Sequence, residues 1–162
     1  MGSPLPNRKH AKRLDEVRSD IKPEIFFITI CTQRRRRILA SPEMHKLLST
    51  LFASVAEKKG WAVGRYIVMP DHVHFFCAPK KVVGDVTSLS KFVGAWKSAV
   101  TRGAWKLGFE GAVWQKEFVD HLLRSDESYE EKWEYVARNA VHHGKAETPD
   151  EWLYQGDIGG LR

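Results

Sequence analysis

Apolar positions along the chain follow the two periods that are typical of strands and of helices. Residues 25–32 (IFFITICT) form a continuous run of apolar and β-branched side chains, which predicts a buried central strand. Residues 61–70 (WAVGRYIVMP) and 72–79 (HVHFFCAP) predict two further strands, with a Pro-Asp pair as the tight connection between them. Residues 111–125 alternate more weakly and predict a fourth strand.

Three other segments repeat apolar side chains at helical spacing, and they are residues 41–60, 84–108 and 126–144. The first begins with Ser41 as a predicted N-cap, has proline at the first helical position, and ends at Gly60. The third has acidic residues in its first turns, which suit the positive end of a helix dipole. The first helix is therefore predicted to pack its apolar side on the sheet.

The order strand, helix, strand, strand, helix, strand, helix predicts an α+β fold. It matches a ferredoxin-like βαββαβ sandwich, with helices over one face of a mainly antiparallel sheet, and an added C-terminal helix. Ser125 or Asp126 is the predicted N-cap of that added helix. One domain is predicted over residues 25–144, preceded by a basic arm at residues 1–24 and followed by a loop-like tail at residues 145–162.

Composition and charge narrow the class of partner. The 162 residues carry a formal net charge of +6 and a sequence pI near 9.4, a basic balance that favours an anionic partner such as nucleic acid. Cys31 and Cys77 lack the spacing of a zinc ribbon and are predicted to be buried and reduced, as in a cytoplasmic protein. Residues 1–24 contain no apolar run, and the apolar stretches are too short to span a bilayer, so neither a secretory signal nor a membrane partner is expected.

The third predicted strand carries His72 and His74, whose side chains point to the same face because side chains alternate along a strand. Two imidazoles so placed can hold one divalent metal ion. With seven histidines in 162 residues, about 0.3 such pairs arise by chance, so the spacing alone is weak evidence. A metallo-hydrolase HxHxDH motif would need Asp and His after the pair, and a two-histidine phosphoesterase would need a second H-x-[ST] motif; the chain has neither.

The sequence around the histidine pair resembles a known motif. Residues 66–79 (YIVMPDHVHFFCAP) resemble the HUH motif of single-tyrosine transposases, in which two histidines flank one hydrophobic residue on a central strand. Residues 89–102 (LSKFVGAWKSAVTR), 113–141 (VWQKEFVDHLLRSDESYEEKWEYVARNAV) and 149–156 (PDEWLYQG) resemble segments of the REP-associated tyrosine transposases, in the same order. The resemblance covers roughly residues 25–156, and several motifs in one order make it specific.

The resemblance implies a catalytic tyrosine on the added C-terminal helix, and Tyr135 occupies that place in EKWEYVARNA. Tyr129 is the rival, but it lies in the first turns of the helix and lacks the asparagine that follows. Asn139 lies at the i+4 position from Tyr135, and its amide oxygen is the implied third ligand of an ion held by His72 and His74. Oxygen ligands suit Mg²⁺ or Mn²⁺, and the imidazoles favour Mn²⁺ or another transition metal.

The chemistry that the family implies is the cutting and joining of DNA. The ion would polarise the scissile phosphate, and the tyrosine would attack phosphorus to give a 5′-phosphotyrosine and a free 3′-OH. The implied substrate is single-stranded DNA in short palindromic hairpin repeats, bound by a monomer or a homodimer. A domesticated, catalytically inactive hairpin-binding protein is the alternative, and the strands lack the aromatic RNP pattern of an RNA-binding ferredoxin-like module.

One position departs from the family pattern, and the role of another stays open. This chain has Asn139-Ala140 where the family usually has Asn-Pro, so the resemblance does not fix where the last helix ends. His121 lies in the family's Asp-His segment, where it has either a role in the site or a structural role as a satisfied polar residue near the sheet edge.

Basic side chains supply the candidate phosphate contacts. Four consecutive arginines follow the first predicted strand, and such a run is either a solvated turn or a phosphate-binding patch. With the N-terminal arm and the second helix, the predicted DNA contacts are Arg8, Lys9, Lys12, Arg13, Arg34, Arg35, Arg36, Arg37, Lys91, Lys97 and Arg102. Trp96 and Trp105 could stack on bases, although core packing is the simpler interpretation of Trp96.

Overall fold

The computed structural model describes residues 24–80, 87–124 and 127–161. The strands are β1 (Phe26–Cys31), β2 (Trp61–Met69), β3 (His72–Pro79), β4 (Val119–Leu122) and β5 (Gln155–Asp157), and the helices are α1 (Pro42–Lys59), α2 (Leu89–Lys106), α3 (Tyr129–Ala137) and α4 (Asn139–His142). Nearly all of the predicted basic arm lies outside the described residues, and with it Arg8, Lys9, Lys12 and Arg13. In the described part of the chain, no helix is long and apolar enough to cross a membrane.

The five strands form one sheet in the order β4-β1-β3-β2-β5, and every neighbouring pair is antiparallel. The predicted α+β fold with an antiparallel sheet is therefore confirmed. The tail differs from the prediction, because it adds β5 to the edge of β2 instead of remaining loop-like. The backbone N–H of Val68 donates to the carbonyl of Tyr154, and the indole N–H of Trp152 donates to the carbonyl of Val68, which fixes the tail against β2.

One face of the sheet packs against α1 and α2 and holds the larger core. The rings of Phe52 from α1 and Trp96 from α2 stack at 4.6 Å with 6° between their planes. Trp61 at the start of β2 stacks in the same way on Phe92, at 5.4 Å. Trp96 is fully buried, so its side chain belongs to the core and not to a base-stacking surface.

The opposite face of the sheet is covered by α3 and α4, which forms the third layer of the fold. Val136 and Ala140 pack on Ile67 and Met69 of β2 in a second apolar cluster. Since side chains alternate along a strand, this face also receives the even-numbered residues at the start of β3. The added helix therefore lies over the face that carries the histidine pair.

Helix boundaries follow the capping signals closely for α1 and less closely for α3. Ser41 accepts a hydrogen bond from the backbone N–H of Met44 at 3.2 Å, and Gly60 ends the helix in the left-handed region at φ 78°. The N-cap of α3 is Ser128, whose hydroxyl accepts from the backbone N–H of Glu131 at 3.2 Å. Ser128 and Glu131 have the residue types and the spacing of a capping box. The helix therefore begins after Ser128, and the predicted N-cap at Ser125 or Asp126 is wrong.

The segment that predicts a fourth strand and the segment that predicts a third helix are both shorter in the structure. Only Val119–Leu122 pairs with β1 as a strand, and Trp114 makes a single bridge to Thr32. The third helix is interrupted at Arg138, which caps α3 and precedes α4. Arg138 itself has αR dihedrals, at φ −79° and ψ −1°.

Candidate active site

The histidine pair lies near the start of β3, the middle strand of the sheet. His74 pairs in register with Thr29 of β1, and His72 pairs with Cys31. The two imidazole rings have their centroids 4.8 Å apart and their planes at 74°. The strand therefore places both rings side by side, as the alternation of the sequence predicts.

Each imidazole is held through its Nδ1 atom by a neighbouring side chain. Nδ1 of His72 lies 2.8 Å from Oδ1 of Asp71, and Nδ1 of His74 lies 2.8 Å from the hydroxyl of Thr29. A carboxylate only accepts, so Nδ1 of neutral His72 donates and Nε2 keeps the lone pair. The Thr29 hydroxyl can accept from Nδ1–H in the same way, and this arrangement leaves both Nε2 atoms for one metal ion.

Asp71 is itself held by a cation. The Nε of Arg35 donates to Oδ2 of Asp71 at 3.0 Å, while Oδ1 faces His72. Partial burial raises the pKa of Asp71, but the hydrogen bonds from His72 and Arg35 outweigh it, and the pKa lies below its ordinary value. Asp71 is therefore a carboxylate that orients His72, in the manner of the partners that commonly orient metal-binding histidines.

His74 is neutral at physiological pH. Burial lowers its pKa, and the unfavourable electrostatic interaction of a protonated ring with His72 and Lys132 lowers it further, to about 3. A neutral imidazole is the form that binds a metal ion, so this environment favours ligation over protonation. The ring also stacks on Phe27 of β1 at 5.1 Å, which fixes its plane.

The donor set suits a divalent ion but is incomplete with the histidines alone. Within residues 24–80, 87–124 and 127–161, no group of three or more His, Cys, Asp and Glu side chains is placed to hold a metal. A third protein ligand from this part of the chain would have to be another type of residue, and the predicted Asn139 is of that type. Asn139 is partly buried at the start of α4 and makes no hydrogen bond to either histidine among the described residues.

Tyr135 lies on the exposed side of α3, with 67% of its surface accessible. Lys132, one turn earlier, connects it to the sheet, because its ammonium lies 5.0 Å from the Phe27 ring centroid and 6.0 Å from that of Tyr135. Phe27 in turn stacks on His74. The structure thus places the tyrosine helix over the histidine face, although Tyr135 makes no ring contact or hydrogen bond with the histidines in the described residues.

Tyr129, the other candidate nucleophile, is buried and has a structural role. Tyr129 is 9% exposed, and its ring meets Phe76 edge-on at 4.6 Å. Its hydroxyl accepts a hydrogen bond from the backbone N–H of Arg65 at 2.9 Å. Burial and this bond make Tyr129 a poor nucleophile and leave Tyr135 as the accessible phenol.

The basic residues differ in what they already bind. Arg36 donates to the carbonyls of Glu110 and Ala112 at 3.2 and 3.1 Å, so it fastens a loop. Lys97 donates to two backbone carbonyls at 2.9 and 3.1 Å, and burial lowers its pKa. The side chains left exposed on the surface are Arg34, Arg35, Arg37, Lys91 and Arg102. Which of the predicted residues contact DNA stays a prediction.

Two further side chains near the site, His121 and Trp105, have hydrogen-bond partners within the protein. His121 on β4 faces the carboxylate of Glu127 at 3.0 and 3.1 Å, an arrangement that suits the structural interpretation of this histidine. Trp105 is 52% exposed, and its indole N–H donates to the carbonyl of Gly111. The sequence interpretation missed Thr29 as the partner of His74, because this contact depends on the register between β1 and β3.

Comparison with known proteins agrees with this fold. The chain matches the family model of IS200-like transposases over residues 24–139. A protein of Haemophilus influenzae described as a REP-associated tyrosine transposase is 22% identical over 143 residues, which are 82% of this chain and 79% of that protein.

Two solved structures share the fold. The structure of a REP-associated tyrosine transposase bound to a REP hairpin aligns with a TM-score of 0.68 at 21% identity, over 83% of this chain and 77% of that one. A crystal structure of a protein from Deinococcus radiodurans described as a transposase aligns with a TM-score of 0.54 at 19% identity, over 74% and 93% of the two chains. The resemblance read from the motifs is confirmed, and the chain belongs to the IS200-like transposase family, whose members are tyrosine transposases that cleave and join DNA.

Proposed function

We propose that this protein is a metal-dependent endonuclease and strand transferase that acts on hairpin DNA through a 5′-phosphotyrosine. One observation carries the proposal. His72 and His74 lie side by side with both Nδ1 atoms occupied by side-chain partners, so both Nε2 atoms remain for a shared ion. The helix that bears the accessible Tyr135 covers this same face of the sheet.

The residues that would hold the ion are His72, His74 and Asn139. A mixed set of imidazole nitrogens and an amide oxygen suits Mn²⁺ and accepts Mg²⁺. When bound, such an ion supplies Lewis-acid stabilisation of the charge that develops on the scissile phosphate. The neutral state of His74, which follows from its pKa of about 3, supports this assignment.

Tyr135 would carry the covalent step. Its hydroxyl oxygen bonds to phosphorus, the bond from phosphorus to the 3′ oxygen breaks, and the phenolic proton leaves as the 3′-OH forms. The ester conserves the energy of the phosphodiester, so the 3′-OH can attack it and rejoin the strand. Lys132, with its ammonium 6.0 Å from the Tyr135 ring centroid, places a positive charge where an anionic phosphate would approach the phenol.

The substrate follows from charge and from the relatives. The chain has a net charge of +6, and exposed arginines follow β1 at the end of the sheet where β3 begins with His72. One solved relative of the same fold is bound to a REP hairpin. We infer that this chain takes a hairpin with a single-stranded flank, and that it acts as a monomer or a homodimer.

A second candidate is a protein that binds hairpin DNA but no longer cuts it. The observation that favours it is the lack of a contact between Tyr135 and the histidines in the described residues. Binding of metal and DNA would have to move α3 or the Tyr135 side chain toward the pair for cleavage to occur. The two candidates differ in a covalent product.

The experiment incubates the protein with end-labelled hairpin DNA and Mn²⁺ and separates the products under denaturing conditions. The wild-type protein is expected to retain the label as a covalent adduct, and Tyr135→Phe is expected to lose it. Tyr129→Phe serves as the matched variant and keeps the adduct. Wild-type protein that binds the hairpins without ever forming an adduct would support the inactive candidate, and an adduct in Tyr135→Phe would refute the assignment of the nucleophile.

A further inference from the structure

A cleft of about 220 Å³ opens beside His72. Its wall carries Arg35 and Arg37 from the turn after β1, and His143 and Lys145 from the segment after α4. These two segments are far apart in sequence, and the fold brings them together at the edge of the histidine pair. Nothing in the family motifs named above assigns His143 or Lys145.

The cleft is electropositive. Three permanent cations and the imidazoles of His72 and His143 line it, against the single carboxylate of Asp71. That carboxylate already accepts from Arg35 and faces His72, so it does not neutralise the other cations. In the described part of the chain, the side chains of Arg37, His143 and Lys145 have no hydrogen bond or ion pair, and all three are exposed. Their donors are available to an anion.

Hydrogen bonds from Thr32 to backbone carbonyls hold the wall of the cleft in place. The hydroxyl of Thr32 donates to the carbonyls of Arg36 and Asp71 at 2.8 and 3.1 Å, and its N–H donates to the same Asp71 carbonyl. Between these bonds, Arg34 and Arg35 adopt the left-handed region at φ 57° and 54°, which costs energy for residues other than glycine. Such strain persists where the surroundings fix it, and here the turn directs Arg35 onto Asp71.

The size of the cleft selects among anions. Its volume is below the roughly 300–1,000 Å³ of sites that enclose a drug-sized ligand, so it suits a single charged group better than a base with its sugar. Arginine binds phosphate through its planar fork, and lysine binds it as a point charge. A phosphodiester of a DNA strand that passes the histidine pair has the matching charge and size.

We propose that this cleft binds one backbone phosphate of the DNA strand next to the scissile phosphate. The inference rests on the proposed function, because it assumes that the scissile phosphate sits at His72 and His74. Fixing a neighbouring phosphate limits how the strand can slide and turn, which helps to hold the scissile phosphate in line with the attacking phenol. Arg37, His143 and Lys145 are thus positioning residues.

The test measures binding without metal, so that it does not depend on cleavage. Fluorescein-labelled hairpins with an eight-nucleotide single-stranded flank are titrated in EDTA, and one flank phosphate at a time is replaced by a neutral methylphosphonate. For the wild-type protein, one position is expected to weaken binding about tenfold, because a charge-assisted contact is lost. The double variant Arg37→Gln/Lys145→Gln binds the unmodified DNA about tenfold more weakly and is insensitive to that position.

Salt dependence and a matched variant complete the test. Loss of one single-strand phosphate contact reduces the slope of log K against log salt by about 0.7. The control Lys46→Gln/Lys58→Gln removes the same charge from exposed positions on α1, across the sheet, and retains both the affinity and the position effect.

Three outcomes separate the claims. A double cleft variant as sensitive to the methylphosphonate as the wild type overturns the cleft, and the Tyr135 adduct then still supports the proposed function. A control variant that loses as much affinity as the cleft variant shows a diffuse charge effect and also overturns the cleft. A wild-type protein that binds no hairpin overturns both.

Discussion

Replacing Asp71 by alanine is expected to weaken the binding of Mn²⁺ without unfolding the protein. Asp71 Oδ1 lies 2.8 Å from Nδ1 of His72, and this bond fixes the ring and its tautomer. Loss of such a partner typically costs 10–100-fold in metal affinity, which is about 1.4–2.7 kcal/mol. The fold should survive, because Thr32 binds the Asp71 backbone carbonyl and the exposed Arg35 pair contributes at most about 1 kcal/mol.

The assay is isothermal titration of Mn²⁺ into protein without DNA, with folding checked by circular dichroism. Asp71→Asn should lie between wild type and Asp71→Ala, since an amide oxygen still accepts from Nδ1 but carries no charge. Asp150→Ala, which removes an exposed aspartate from the tail, is the matched control and should bind like wild type. An Asp71→Ala protein that is folded and binds Mn²⁺ within twofold of wild type would refute the assignment of His72 as an oriented ligand.

Three further predictions concern the scaffold around the site. Arg36→Ala should lower the free energy of unfolding, measured in urea, by about 1–3 kcal/mol, because it removes two charge-assisted hydrogen bonds to a loop. An unchanged free energy of unfolding would show that these hydrogen bonds do not stabilise the protein. Gly64→Ala should destabilise the protein in the same assay, since the added Cβ would lie 2.5 Å from the Tyr129 hydroxyl; unchanged stability would mean that the ring moves at no cost. In the folded protein the pKa of His74 is about 3, against an ordinary value of 6.5. Between these two pH values the unfolded chain binds more protons than the folded one. The free energy of unfolding should therefore fall as the pH is lowered from 6.5 towards 3, by up to about 1.4 kcal/mol per pH unit. His74→Gln should flatten that slope in urea melts at pH 4.5–6.5, and an equal slope would contradict the burial of a neutral ring.

Local patterns were sufficient for the parts of the fold that bury continuous apolar surface. The strands β1, β2 and β3 follow from continuous apolar runs, and the helix α1 follows from its apolar spacing and from the caps next to its two ends, Ser41 and Gly60. The histidine face follows from strand alternation alone. The tail strand β5 could not be predicted in this way, because Gln155–Asp157 has no apolar pattern, and the contacts of Trp152 and Tyr154 with Val68 that hold the tail against β2 are long-range.

The candidate site shows the same division between local and long-range information. Asp71 and His72 are adjacent in sequence, so a contact between their side chains could be predicted from the motif itself. Thr29 reaches His74 only through the register of β1 against β3, which no local pattern specifies. The cleft lined by Arg37 and Lys145 likewise requires the fold, because two segments over a hundred residues apart meet there.

The claim that Tyr135 is the nucleophile is tested most directly by locating the DNA on the protein. The covalent adduct formed with hairpin DNA and Mn²⁺ is trimmed with nuclease, digested with trypsin and analysed by mass spectrometry. Trypsin separates the two candidates, because Tyr129 falls in residues 125–132 and Tyr135 in residues 133–138. The account predicts a nucleotide phosphate on the peptide of residues 133–138, fragmenting at its tyrosine. A modified peptide of residues 125–132, or a modification on any other side chain, would contradict it.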